Sequence, residues 1–94
     1  MAYYVTVDCY SRDDAEILLR KFAESGLSAF AQEGLCYLGN VRTVFRIGVT
    51  MVEPEIELAK KKFRSIYGRI LGETGLGLDG KFMTYIAPPD IYVK

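Results

Sequence analysis

The sequence predicts an α+β two-layer sandwich. Two observations carry the prediction: the order in which the hydrophobic period switches, and a Gly-Asn pair set between two alternating runs. Apolar residues alternate over 3–10, take helical spacing over 11–26, and alternate again over 28–38 and 41–52. They turn helical over 54–71 and alternate once more over 81–87. That order is βαββαβ. A split βαβ arrangement satisfies it with one antiparallel sheet in the order 4-1-3-2 and both helices on one face, which is the ferredoxin-like architecture. One such domain is expected to take up residues 1–94, with 88–94 as a short tail or an extra strand.

In the first strand, Val5, Val7 and Cys9 are expected to point at the helices, with Tyr4, Thr6, Asp8 and Tyr10 on the other face. Ser11 is a strong N-cap, Asp14 follows three residues later, and Asp13 favours the positive end of the helix. Ala15, Leu18, Leu19 and Phe22 then form one apolar stripe, and Gly26 is a natural left-handed terminator. These signals put the first helix near 11–25.

Gly39-Asn40 reads as a two-residue hairpin loop. It sets Leu38 opposite Val41, Cys36 opposite Thr43, Gly34 opposite Phe45, Gln32 opposite Ile47 and Phe30 opposite Val49. The open face then pairs Tyr37 with Arg42, Leu35 with Val44 and Glu33 with Arg46. The second helix is expected near 54–71, with Pro54 at its first position and Ile56, Ala59, Phe63, Ile66 and Ile70 on one face. For the last strand, alternation does not choose between Phe82/Thr84/Ile86 and Met83/Tyr85 as the inward set.

Composition narrows the function by exclusion. There are 12 basic and 12 acidic side chains, so bulk charge draws the chain to neither nucleic acid nor membrane. Residues 1–40 hold three basic and six acidic groups, while 41–94 hold nine and six, so one end or face is expected to be electropositive. No run approaches the roughly 18 apolar residues of a membrane-spanning helix, and a cytoplasmic location is expected. Histidine is absent, which removes His-based triads, Cys–His pairs and His-containing metal sites within a single chain. Two cysteines alone do not make a structural zinc site, and no metal or cofactor is expected. Cys9 and Cys36 lie two strands apart, about 9–10 Å at roughly 4.8 Å per step. That exceeds the reach of about 7 Å between Cα atoms that a disulfide allows.

The string Gly75-Leu76-Gly77-Leu78-Asp79-Gly80 matches a dinucleotide fingerprint in letters. The fingerprint needs a strand before it and a helix after it, and here the order is reversed. A connector with some capacity to hold an anion on its backbone amides is the remaining reading. Lys60, Lys61, Lys62 and Arg64 form the basic cluster of the second helix and are the candidate phosphate contacts.

The open sheet face is the leading candidate surface. Tyr4, Tyr10, Leu35, Tyr37 and Val44, with Arg42, are side chains the helices do not cover, and tyrosine and arginine are enriched at interface hot spots. Asp8, Glu33 and Arg46 are expected to form an ionic row across the same face. RNA-binding domains of this topology place stacking aromatics on the third strand. Here the outward positions of that strand are Arg42, Val44 and Arg46, so the similarity to those domains is of topology alone. The sequence therefore supports a small non-catalytic interaction module that pairs with itself or with another protein through the sheet. One alternative is a weak nucleic-acid binder using the basic helix and the sheet tyrosines. Another is a small enzyme using Asp8, Glu33 and Arg46.

Overall fold

The computed structural model describes residues 2–36, 42–78 and 80–86. The elements run β1 (Ala2–Cys9), α1 (Arg12–Glu24), β2 (Ser28–Cys36), β3 (Arg42–Val52), α2 (Ile56–Thr74) and β4 (Met83–Ile86). The four strands form one sheet in the order β2-β3-β1-β4, with every pairing antiparallel. Read from the other edge, this is the expected 4-1-3-2.

Local signals explain where α1 begins and ends. The Asp14 amide donates to Ser11 Oγ at 3.0 Å, and Gly26 turns the chain at a φ of +81° that a side chain would resist. The second helix departs from expectation at both ends. It starts at Ile56 behind Glu55 as N-cap, so Pro54 precedes the helix instead of opening it. It runs through Gly72 to Thr74, because the left-handed residue that stops it is Gly75, whose amide donates to the Leu71 carbonyl at 3.0 Å.

The core lies between the helices and the sheet. Tyr3, Val5, Val7 and Cys9 of β1 and Ile47, Val49 and Met51 of β3 meet Ala15, Leu18 and Phe22 of α1 and Ala59, Phe63, Tyr67 and Ile70 of α2. A chain of rings joins the layers: Phe22 to Phe63 at 5.5 Å, Phe63 to Tyr67 at 5.4 Å, and Phe63 to Phe82 at 4.9 Å. Such contacts add to the burial of apolar area. Tyr67 had no place in the expected stripe of α2, although it sits four residues beyond Phe63 and four before Leu71.

The β2–β3 register differs by one residue from the hairpin reading. Cys36 pairs with Arg42, Leu35 with Thr43, Gly34 with Val44, Glu33 with Phe45, Gln32 with Arg46, Ala31 with Ile47 and Phe30 with Gly48. These pairs differ by one residue from the expected set, in which Cys36 faces Thr43. The Gly39-Asn40 turn itself lies outside the described residues. The expectation had collected the largest β2 side chains under the helices. The protein instead sets Ala29 against the core and sends Phe30 to the open face.

A close contact explains that choice. Gly48 leaves a gap at the middle of β3, and Tyr4 closes it from the neighbouring strand. Tyr4 Oη would stand 2.6 Å from a Cβ at position 48. Phe30 comes from the other side to meet the Tyr4 ring at 5.4 Å. Gly48→Ala should therefore cost about 1–3 kcal/mol, because the ring must leave a packed position. In a Tyr4→Leu background the same substitution should cost much less. Urea unfolding of the four-member cycle measures this, and purely additive costs would show that the contact does not constrain the sheet.

Candidate binding surface

The face of the sheet away from the helices is built in rows by the strand register. One row runs Phe30, Gly48, Thr6, Met83; the next runs Ser28, Thr50, Tyr4, Tyr85; a third runs Gln32, Arg46, Asp8. Two hollows result. The first, about 220 Å³, is lined by Tyr4, Phe30, Tyr85, Thr6, Gln32, Arg46 and Gly48. The second, about 320 Å³, lies where β1 runs on past the short β4, and Asp8, Tyr10, Arg46, Lys81 and Met83 are among the residues that line it. Thr6 and Arg46 belong to both, so the hollows adjoin.

Between them sits one ion pair of good geometry. Arg46 donates through Nε to Asp8 Oδ1 at 2.8 Å and through Nη2 to Asp8 Oδ2 at 3.1 Å. The pair is half-exposed, so it orients side chains more than it stabilises the fold.

The expected third member of this row is elsewhere. Glu33 is opposite Phe45 in the register, and its carboxylate lies 3.8 Å from Arg12 of α1. The Arg12 guanidinium also covers the Phe45 ring at 5.4 Å. The one-residue register shift moved Glu33 to the helix side, and the constellation Asp8–Glu33–Arg46 does not assemble.

The expected apolar surface is corrected in the same way. Tyr4 is only 2% exposed and Val44 only 5%, so neither offers itself to a partner. Tyr4 is buried by its own folding over Gly48 and against Phe30. Leu35 is opposite Thr43 and not Val44. The side chains of Leu35 and Arg42, and all of Tyr37, lie outside the described residues. Tyr10 is exposed as expected, at 52%. The sequence reading missed Met83 (60%) and Tyr85 (46%). The pairs Val5–Thr84 and Tyr4–Tyr85 put Phe82 and Thr84 on the core side and Met83 and Tyr85 on the open one. The alternation of β4 held that signal, but its phase against β1 was undetermined.

The basic cluster of α2 is divided by helical geometry. Lys62 meets Glu53 at 2.7 Å and Lys60 meets Glu57 at 3.5 Å. Arg64 lies over the Phe82 ring at 5.5 Å, and Lys61 is exposed. Among the described residues, no three His, Cys, Asp or Glu side chains gather to hold a metal ion. No helix among them is long and apolar enough to cross a membrane. The glycine-rich segment follows α2 and precedes β4, as the sequence order required; Asp79 within it lies outside the described residues.

With this geometry in view, the comparisons speak to the fold. No protein-family model matches the chain, and no curated protein sequence matches it. Solved structures do. The periplasmic divalent cation tolerance protein CutA from Archaeoglobus fulgidus aligns at 13% identity with a TM-score of 0.54, covering 100% of this chain and 89% of its own. CutA from Synechococcus elongatus PCC7942, complexed with Bis-Tris, aligns at 11% identity with a TM-score of 0.56, covering 97% and 86%. The chain shares the ferredoxin-like fold with these proteins. At such identities the likeness is one of fold alone.

Cys9 is a fully buried free thiol that points at the helix layer and contacts the Phe45 carbonyl at 3.4 Å. Strand β3 lies between it and the strand of Cys36, whose side chain is outside the described residues. Burial, with added repulsion from Asp14 and Asp8, pushes the Cys9 pKa up from 9.0 to about 11. Between those values the unfolded chain has lost a proton that the folded chain retains. Stability should therefore fall as pH rises from 9 to 11, by at most about 1.4 kcal/mol per pH unit from this group. Urea midpoints of wild type and Cys9→Ala across that range isolate the effect. An identical pH slope in both proteins would show that Cys9 does not titrate abnormally.

Proposed function

We propose that this protein is a non-catalytic binding module that associates with a second copy of itself through the open sheet face. The observation that carries the reading is the grouping of Tyr10, Met83 and Tyr85 around the Asp8–Arg46 pair, on the side the helices leave uncovered. Large apolar side chains left half-exposed together gain from being covered, at about 25 cal/mol per Å² removed from water, although association costs consume much of that. The grouping contains both signs of charge side by side. A copy related by a two-fold axis brings Asp8 toward Arg46 and Arg46 toward Asp8, so the face is complementary to itself. Formal net charge is zero, which leaves no long-range repulsion between copies.

An enzyme at this face is not favoured, because Glu33 is withdrawn to the helix side. Nucleic-acid binding by the basic helix is not favoured either, since helical spacing divides its cations: Lys62 is bound to Glu53, and Lys61 and Lys62 do not share the hollow of Lys60 and Arg64, which leaves no continuous basic track for a phosphate backbone.

The test places a charge where the face is apolar and the core is not involved. Sedimentation equilibrium of the wild type should show association at or below about 1 mM, which corresponds to roughly −4 kcal/mol. Tyr85→Glu should sediment as a monomer with an unchanged circular dichroism spectrum and an unchanged urea midpoint. A wild type that remains monomeric over that range, or a Tyr85→Glu variant that associates as strongly, would overturn the reading.

A further inference from the structure

A further hollow lies on the flank of the molecule, between α2 and the outer side of β4, and shares Lys81, Phe82 and Met83 with the second hollow of the open face. It is a wide hollow of about 590 Å³ lined by Lys60, Arg64, Gly80, Lys81, Phe82, Met83 and Thr84. We infer that this hollow binds a phosphate-class oxyanion.

Three features support the assignment. Lys60 and Arg64 are one helical turn apart on α2, and Lys81 faces the same hollow from the segment before β4. Like charges at this helical spacing repel and weaken a helix, and among the described residues that line the hollow none is a carboxylate. Glu57, outside the lining, meets Lys60 at 3.5 Å and offsets part of that charge.

The second feature is a polar group with no partner. Thr84 Oγ1 is buried and makes no hydrogen bond among the described residues. Its position opposite Val5 turns it toward the helix layer at the edge where the hollow lies. A buried hydroxyl left unsatisfied is costly. An oxyanion in the hollow accepts its hydrogen bond and lies beside Lys60, Arg64 and Lys81 at once.

The third feature is preorganisation. The Arg64 guanidinium is seated over the Phe82 ring at 5.5 Å, and that ring is held against Phe63 of the core at 4.9 Å. The cation is therefore placed on a fixed floor before any ligand arrives. Helical spacing excludes the other two members of the basic run: neither Lys61 nor Lys62 lines the hollow, and Lys62 is bound to Glu53. Phe82 and Met83 give the hollow an apolar border suited to the organic part of a phosphate ester.

The experiment titrates the protein with inorganic phosphate and, separately, with phenyl phosphate, at constant ionic strength, following backbone amide shifts. Both should shift residues 60–64 and 80–84 saturably. Tighter binding of phenyl phosphate assigns an ester whose ring rests on Phe82 and Met83, and equal binding assigns the free ion. The double variant Lys60→Gln/Arg64→Gln, altered only at side chains outside the core, should bind about tenfold more weakly. Thr84→Val should bind about threefold more weakly yet show a higher urea midpoint in phosphate-free buffer, since it removes the unsatisfied hydroxyl. Equal shifts from sodium chloride at matched ionic strength, or unchanged affinity in a correctly folded double variant, would overturn the site.

Discussion

Strand β3 pairs on both sides, and its register with β2 sets the face on which every β2 side chain emerges. Side chains alternate along a strand with a period of two, so a shift of one residue exchanges the faces completely. With Phe30 opposite Gly48, the ring meets Tyr4 on the open side, and the core receives Ala29 in its place. The same pairing carries Glu33 to Arg12 and leaves Asp8 as the partner of Arg46. The shape of the open face, the composition of its ion pair and the exclusion of a carboxylate constellation all follow from that one register.

The absence of a side chain at Gly48 is what makes the register favourable. A sheet surface with a gap at its centre loses dispersion contacts that a neighbouring ring restores. Tyr4 gains nearly complete burial without a helix above it, by lying across the backbone of the adjacent strand. The helix side follows a different logic, in which apolar stripes of α1 and α2 close over β1 and β3 and aromatic rings connect the layers. Cys9 is fully buried in that layer, and burial, with repulsion from Asp14 and Asp8, pushes its thiol pKa up to about 11.

The two surfaces available to partners differ in physics. The open face combines exposed rings and a thioether with a paired acid and base, a combination suited to another protein surface of the same kind. The flank beside β4 gathers cations and an unsatisfied hydroxyl around a hollow, a combination suited to a small anion. They meet at β4, where Lys81, Phe82 and Met83 border both, while the alternation of the strand sends Tyr85 to the open face and Thr84 toward the helix layer. A strand of four residues thereby serves both.

The sequence by itself determined the order of elements, the sheet topology, the N-cap at Ser11, the inward set Val5, Val7 and Cys9, and the proximity of Asp8 to Arg46. These rest on periodicity and capping, which are local and legible along the chain. Only the tertiary structure decided the β2–β3 register, the burial of Tyr4 and Val44, the exposure of Met83 and Tyr85, and the hollow that joins Lys60 and Arg64 to Thr84. The hairpin reading took its register from a two-residue Gly39-Asn40 loop, which put Phe30 under the helices, whereas a glycine on the neighbouring strand made the open face the better site for that ring. β4 was ambiguous because four alternating residues have no phase until they pair with β1. Local pattern fixes which segments become strands and helices, and packing across strands fixes which atoms those segments present to a partner.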